Sequence, residues 1–186
     1  ELAPLLRKGD KQLADEVAEA MTTNESSFFR DGHPFERLRD TIIPRLLERR
    51  STNRLRIWCA AAAKGQEPLS VAMTVLENSA SLGNPNVEIE ATDISGQMVQ
   101  TAREGRYTDF EIRRGLPDTL LNKYFRRSGD GSWRADKKLL SMVRYRQHNL
   151  LSGIRGGPYD IVFCRNVLLY FDTSEKQRVL REISRV

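Results

Sequence analysis

The stretch Ile57–Met73, IWCAAAAKGQEPLSVAM, decides the fold. A short apolar run ends in small residues, crosses one glycine at Gly65, and opens into a helix at Glu67-Pro68. Strand, tight small-residue turn and helix start form the arrangement with which α/β enzymes hold a nucleotide-like ligand. The turn lets the backbone approach the ligand, and the helix N-terminus supplies free N–H groups. Asp93 closes the next strand-like run, VEIEATD, 28 positions beyond Gly65. That is near the ~20-residue offset of a ribose-binding acid. A carboxylate there accepts from both ribose hydroxyls, and an Asp in the same place also caps a following helix; both readings stand. Turn and acid together imply an adenosine-containing cofactor.

Outward from this stretch, strand and helix alternate. LRIWCA is followed by the helical run EPLSVAMTVLENSASL, then by a turn at Gly83-Asn84-Pro85-Asn86. VEIEATD leads to SGQMVQTAREG, with Ser95 as the expected N-cap. VRYRQHN and YDIVFCRN read as third and fourth strands, the latter apolar enough to be central in a parallel sheet. A last helix starts near Ser174. Strands separated by helices mean a mostly parallel sheet, an α/β fold of Rossmann-like type. Residues 107–142 interrupt the rhythm: RGLPDTLLNKYF reads as helical, and SGDGSW as the turn of a small hairpin appendage. Upstream, Leu2, Leu5, Leu6, Leu13, Val17 and Ala20 mark short amphipathic helices, an N-terminal helical remnant over 1–20. Residues 21–54 read as a linker and cofactor-covering segment. Within it Leu38, Ile42 and Leu46 share one helical face, and Pro44 starts a second helix or kinks the first.

The chain has 186 residues and a formal net charge of +5. Residues 101–150 carry twelve Lys/Arg against six Asp/Glu, a surplus that attracts an acidic partner. It lacks the dense basic stripe with interleaved aromatics of a nucleic-acid binder, so no nucleic acid is expected. No apolar run approaches the ~20 residues of a membrane span, so no membrane insertion is expected. Cys59 and Cys164, each ending a strand-like run, are expected to be reduced and buried. His33 and His148 stand apart, and no Cys/His spacing fits a metal.

In a doubly wound sheet the ligand lies beyond the carboxyl ends of the strands. Those ends carry Ala60–Glu67, Asp93, Asn149-Leu150 and Arg165–Tyr170. Gly65 alone is not the three-glycine fingerprint that a dinucleotide diphosphate needs. S-adenosylmethionine has no phosphate and is cationic at its ammonium and sulfonium, and the turn supplies Glu67 in place of an anion cradle. Glu67 reads equally as a ligand for the cofactor amino group and as a partner of the helix dipole.

The blocks MTTNESSFFRD, RIWCAAAAKGQEPLSVAM, ATDIS, RGLP, KYF, NLL and DIVFCRNVLLYFD occur in that order from about Glu16 to the end. In this the chain resembles the CheR-type chemoreceptor glutamate methyltransferases. The resemblance implies methyl transfer from S-adenosylmethionine to glutamate side chains of bacterial chemoreceptors, with S-adenosylhomocysteine as product and sensory adaptation as effect. It implies a cytoplasmic protein whose partners are the cytoplasmic helices of chemoreceptors. Its cofactor contacts fall on Asn24, Ser26, Arg30, Glu67, Asp93, Asn149, Leu150, Asn166 and Val167. Tyr170 takes the catalytic place beside the reacting methyl. Arg30 suits the cofactor carboxylate, which a guanidinium meets bidentately. A carboxylate substrate is already a nucleophile at neutral pH, so positioning suffices and no acid/base dyad is needed.

Ser26 stands where the family often has Thr. Cys59 and Lys64 replace residues that are usually small and hydroxylated, and Leu69 replaces a common Tyr. Lys64 is expected to add a cation near a cationic ligand. The methyltransferase domain, read as 55–186, ends in the helix after the fourth strand, where the family continues. A fragment is therefore expected, with YDIVFCRN as an exposed apolar edge. The resemblance further implies no tether to a C-terminal receptor peptide, because tethering members of the family carry a longer loop where this chain has the compact RRSGDGSW turn. Two other readings remain: a non-catalytic S-adenosylmethionine-binding signalling domain, and a nucleic-acid or small-molecule N-methyltransferase.

Overall fold

The sheet is built on β1 (Arg54–Ala60), whose inner positions are almost all buried. In the computed structural model, which describes residues 11–186, β1 pairs in parallel with β2 (Asn86–Asp93) and with β7 (Ile161–Cys164). β6 (Val143–Gln147) pairs in parallel with the far side of β2, giving the order β6-β2-β1-β7. Side chains of a strand alternate between faces. Leu55, Ile57 and Cys59 accordingly enter the larger core, and Trp58 and Ala60 enter a second one with Leu150 and Val179. Trp58 keeps its polar atom satisfied by donating from Nε1 to Thr92 Oγ1 at 3.0 Å. β7 is the outermost strand on its side among the described residues, not a central one.

The helix after β1, α4 (Gln66–Glu77), stops before the serines at Ser79 and Ser81. The chain then turns through Gly83 into β2, five residues short of the helical run read from sequence. α5 (Gly96–Glu104) follows β2 with Ser95 as N-cap, its hydroxyl accepting from Met98 N at 2.9 Å. The last helix, α9 (Thr173–Ile183), is capped by Asp172, which accepts from Glu175 N at 2.8 Å.

Ahead of β1 lie α1 (Lys11–Met21), α2 (His33–Arg37), a π-helical turn (Leu38–Ile42) and α3 (Ile43–Glu48). The leucines at 2, 5 and 6 fall outside the described residues. Within the 21–54 segment, Phe35, Leu38 and Ile43 are packed in the main core. The one-face expectation fails at Ile42, which is 37% exposed. The cause is Pro44, which has no N–H and crowds the preceding turn. Ile43 donates instead to Leu38 O, five residues back, so Ile43 follows Leu38 into the core.

The insertion is a three-stranded antiparallel sheet: β3 (Arg106–Tyr107), β5 (Trp133–Ala135) and β4 (Phe125–Arg127) in that order. The β4–β5 turn closes with Gly131 N donating to Ser128 O, as SGDGSW leads one to expect. The third strand, β3, was not legible in the sequence. The small sheet packs on the main core. Tyr107 and Phe125 are buried and meet Phe28 edge-on at 5.0 and 5.5 Å between ring centres. α6 (Asp109–Arg113), α7 (Asp118–Tyr124) and α8 (Lys137–Ser141) connect its strands to each other and to β6.

Candidate active site

Strand order reverses at β1, where β2 and β6 lie to one side and β7 to the other. A cleft of about 340 Å³ opens there, beyond the carboxyl ends of the strands. Every residue nominated from sequence lines it. Asn24, Ser26 and Arg30 come from the covering segment, Glu67 from α4 and Asp93 from β2. Asn149 and Leu150 follow β6, and Asn166, Val167 and Tyr170 follow β7.

The turn after β1 alternates left-handed residues: Ala61 at φ 58°, Ala63 at φ 45° and Gly65 at φ 87°. For the two alanines this conformation costs roughly 1–2 kcal/mol each. Three hydrogen bonds hold it: Ala62 N to Thr92 O at 2.9 Å, Ala63 N to Asp93 Oδ2 at 2.7 Å, and Gly65 N to Ala62 O at 2.9 Å. Only glycine fits at 65. A Cβ there would lie 2.8 Å from Tyr145 Oη, on top of the φ requirement.

Asp93 is 5% exposed. Its other oxygen accepts from Ser95 N at 3.0 Å, so the carboxylate fastens both the β1 turn and the start of α5. Ser95, not Asp93, caps α5, and Asp93 instead holds the N–H of that cap residue. The ribose reading stays compatible with it, because each carboxylate oxygen keeps a second lone pair. Burial pushes its pKa up against the pull of the backbone amides. Ser95 also donates to Glu19, whose second oxygen accepts from Gln97 N at 3.1 Å. That carboxylate at a helix N-terminus docks α1 beside the cleft.

Glu67 sits in the first turn of α4, its side chain 14% exposed. Nη1 of Arg165 donates to its Oε2 at 3.0 Å. Burial outweighs this counter-charge and raises the Glu67 carboxyl to about 7. Arg165, which sequence reasoning left unassigned, also donates to Arg30 O and to Asp31 Oδ2. The signal for it was its position directly after a strand end beside the nominated Asn166.

His148 was also missed. It is 8% exposed in the cleft wall, and burial lowers its pKa, which favours the neutral ring. His33 is structural, its Nδ1 2.9 Å from Asp31 O. Lys64 departs from expectation. It does not line the cleft, and its Nζ pairs with Glu111 Oε1 at 2.6 Å while its carbonyl accepts from Tyr107 Oη at 2.8 Å. The extra cation is thus neutralised and tied to the small sheet. Cys59 is buried and Cys164 partly buried, both free, and burial drives the Cys59 thiol well above its ordinary pKa.

Three features of the wall suit S-adenosylmethionine. Asn24 Oδ1 and His148 Nε2, on two residues of the wall, are buried without a hydrogen-bond partner and are free to accept one if the side chains turn. Asp93 supplies negative charge for a cation, and Glu67, paired with Arg165, adds to it when ionised. No glycine-rich diphosphate cradle is present. At the mouth, Leu169 and Tyr170 are 62% and 59% exposed. Among the described residues there is no cluster able to hold a metal and no helix long and apolar enough to cross a membrane.

Residues 24–186 match the family described as CheR methyltransferase, SAM binding domain. The chain belongs to the CheR methyltransferase family. It is 41% identical over 175 residues to the chemotaxis protein methyltransferase Cher2 of Pseudomonas putida, covering 92% of this chain and 64% of that protein. It is 42% identical over 175 residues to chemotaxis protein methyltransferase 1 of Pseudomonas aeruginosa, with the same coverage. To the chemotaxis protein methyltransferase of Vibrio parahaemolyticus it is 37% identical over 178 residues, covering 94% of this chain and 64% of that one. The chain thus spans just under two thirds of the curated relatives it matches. S-adenosylmethionine is the cofactor of this CheR domain, and the α/β sheet described above is its scaffold.

Proposed function

We propose that the protein methylates glutamate side chains on the cytoplasmic helices of bacterial chemoreceptors, forming glutamyl methyl esters and S-adenosylhomocysteine. The observation that carries this reading is the convergence of all ten nominated residues on one cleft, with two acidic side chains, Glu67 and Asp93, among them. Asn24, Ser26, Arg30, Glu67, Asp93, Asn149, Leu150, Asn166 and Val167 would hold the cofactor. When bound, the cofactor supplies an electrophilic methyl on a sulfonium.

The protein's own part is positional. Arg30 binds the cofactor carboxylate, and Glu67 and Asp93 favour the cationic and hydroxyl-bearing parts. Tyr170 orients the incoming carboxylate from the mouth, where it remains accessible to a macromolecule. The substrate oxygen needs no base because glutamate is ionised at neutral pH. Desolvation at the apolar mouth and in-line alignment supply the rate. The cytoplasm is the compartment that offers both the cofactor and the receptor helices.

The test is transfer of radiolabelled methyl from S-adenosylmethionine to chemoreceptor-containing membranes. The label should be released as methanol by mild base, the signature of a glutamyl ester. Label that survives base would overturn the ester reading and favour an N-methyl product. Cofactor binding without label would favour a non-catalytic signalling role.

A further inference from the structure

Arg165 has no assigned task, yet its guanidinium joins three parts of the cleft. Nη1 reaches Glu67 Oε2 at 3.0 Å in α4. Nη2 reaches Arg30 O at 2.9 Å and Asp31 Oδ2 at 2.6 Å in the covering segment. The plane stands 5.8 Å from the centre of the Phe35 ring at the start of the helical stretch. The side chain is 19% exposed, so these bonds are largely shielded from water.

The segment it grips is itself held in an unfavourable shape. Phe29 and Asp31, neither of them glycine, have φ of 47° and 67°. Such residues persist only where neighbours over-determine them. Upstream the segment is anchored by Phe28 N to Arg114 O at 3.1 Å and by Phe29 N to Ser70 Oγ at 3.0 Å. At Gly115 the chains approach so closely that a Cβ would lie 2.1 Å from Phe28 O. Downstream of Phe29, Arg165 supplies the tie to the end of β7.

We propose that Arg165 is a positioning residue that clamps the covering segment over the cofactor cleft, fastening the backbone at Arg30 and the carboxylate at Asp31 to β7 and α4. Only a planar fork with several fixed donors serves these acceptors at once, so lysine is not equivalent. The clamp sets where the Arg30 side chain enters the cleft, and it couples that placement to the charge of Glu67. The position of the Arg30 backbone sets the contacts that a bound ligand makes, so losing the clamp should shorten residence more than it alters encounter.

The inference rests on the cofactor reading of the cleft for its kinetic arm alone. The first measurement is amide hydrogen exchange of the ligand-free protein. Arg165→Met should speed exchange in residues 24–32 by about tenfold, the worth of charge-assisted hydrogen bonds, with β1 and β2 unchanged. The second is binding of S-adenosylhomocysteine by stopped flow. Its off-rate should rise about tenfold with the on-rate altered by less than about threefold, and Arg165→Lys should restore little of this. Asp31→Asn, a substitution at an exposed position, should act in the same direction with a smaller effect and serves if Arg165→Met does not fold. Unchanged exchange in residues 24–32, uniform acceleration across the sheet, full rescue by lysine, or a loss carried by the on-rate would each overturn the clamp. Wild-type protein that does not bind S-adenosylhomocysteine would sink the cofactor reading, and exchange would then judge the clamp by itself.

Discussion

Replacing Glu67 by glutamine should change how stability depends on pH. In the folded protein burial raises the Glu67 carboxyl from 4.5 to about 7, despite the Arg165 guanidinium at 3.0 Å. Between those two values the folded state binds more protons than the unfolded state. Stability from this group is therefore fully present below about pH 4.5 and is lost as pH rises through about 7. The gap is worth on the order of 3 kcal/mol. Glutamine does not titrate, and it keeps the shape and one acceptor for Arg165. Asp93, also raised by burial, and the acids lowered by arginines are common to both proteins and cancel in the difference. Urea unfolding of both proteins from about pH 5 to about pH 8 reads this difference directly. The variant should gain on wild type as pH rises, by roughly 6–12 °C if melting temperature is the readout. Parallel curves would refute the claim that burial dominates at Glu67. A second readout addresses the ligand. A cation seated beside Glu67 favours its ionised form, so S-adenosylmethionine binding near pH 7 should release up to about half a proton. Calorimetry in buffers of different ionisation enthalpy measures this, and the glutamine variant should release fewer protons. Equal proton release by both proteins would remove Glu67 from the cation's surroundings.

Asp93→Ala should weaken S-adenosylmethionine binding by roughly 1.5–3 kcal/mol, the range for hydrogen bonds involving a charged group, and calorimetry checks it; equal affinities would leave Asp93 only its role in fastening Ala63 and Ser95. Tyr170→Phe should lower turnover more than cofactor affinity, and Arg30→Ala the reverse; an untouched methylation rate in Tyr170→Phe would move the active centre away from the β7 end. Gly65→Ala should abolish cofactor binding, because its Cβ meets Tyr145 Oη at 2.8 Å in a left-handed turn, and adding Tyr145→Phe should recover part of it; wild-type affinity in Gly65→Ala would show the turn is not constrained. Methylation of receptor membranes should fall as salt rises through the range where the Debye length shrinks to ~8–10 Å, and a receptor C-terminal peptide should not compete; salt-independent rates or peptide inhibition would favour a tethered mode of recognition.

The parts of this protein that were legible in sequence are those set by local chemistry. The strand–turn–helix of Ile57–Met73, the Ser95 cap and the Ser128–Ser132 turn follow from small residues, a hydroxyl and glycines at fixed places. Seven of the ten cleft residues sit at strand ends, where the fold gathers ligand groups, whereas Asn24, Ser26 and Arg30 lie in the covering segment and were named only through the family resemblance. What escaped depends on tertiary fit. Ile42 and Ile43 exchange places because of one missing N–H at Pro44. The two-residue strand β3 is too short to carry a pattern and exists only through pairing with β5. Lys64 reads as a cation near the ligand, but its direction is set by Glu111, 47 residues away in the chain. Arg165 and His148 look like ordinary polar residues after strands, and only the folded cleft gives them neighbours.

Backbone strain and charge are concentrated in one place. Of the described non-glycine residues with left-handed φ, Phe29, Asp31, Ala61, Ala63 and Asn166 all belong to the cleft or its covering segment, and only Asn84 lies in a distant turn. Each costs roughly 1–3 kcal/mol, a sizeable share of a domain's net stability. The compensating bonds are equally local: Asp93 serves the 61–65 turn, and Arg165 serves Arg30 and Asp31. The two side chains that relieve the strain are thus charged and nearly buried, and they sit on opposite sides of the same cleft. Removing either should do more than delete a contact, because the backbone it supports would relax away from the ligand. The cleft therefore depends on its charges twice, once for the cationic cofactor and once for its own shape. Its charged residues should tolerate conservative substitution less well than the apolar core behind them, where Leu, Ile and Val exchange at modest cost.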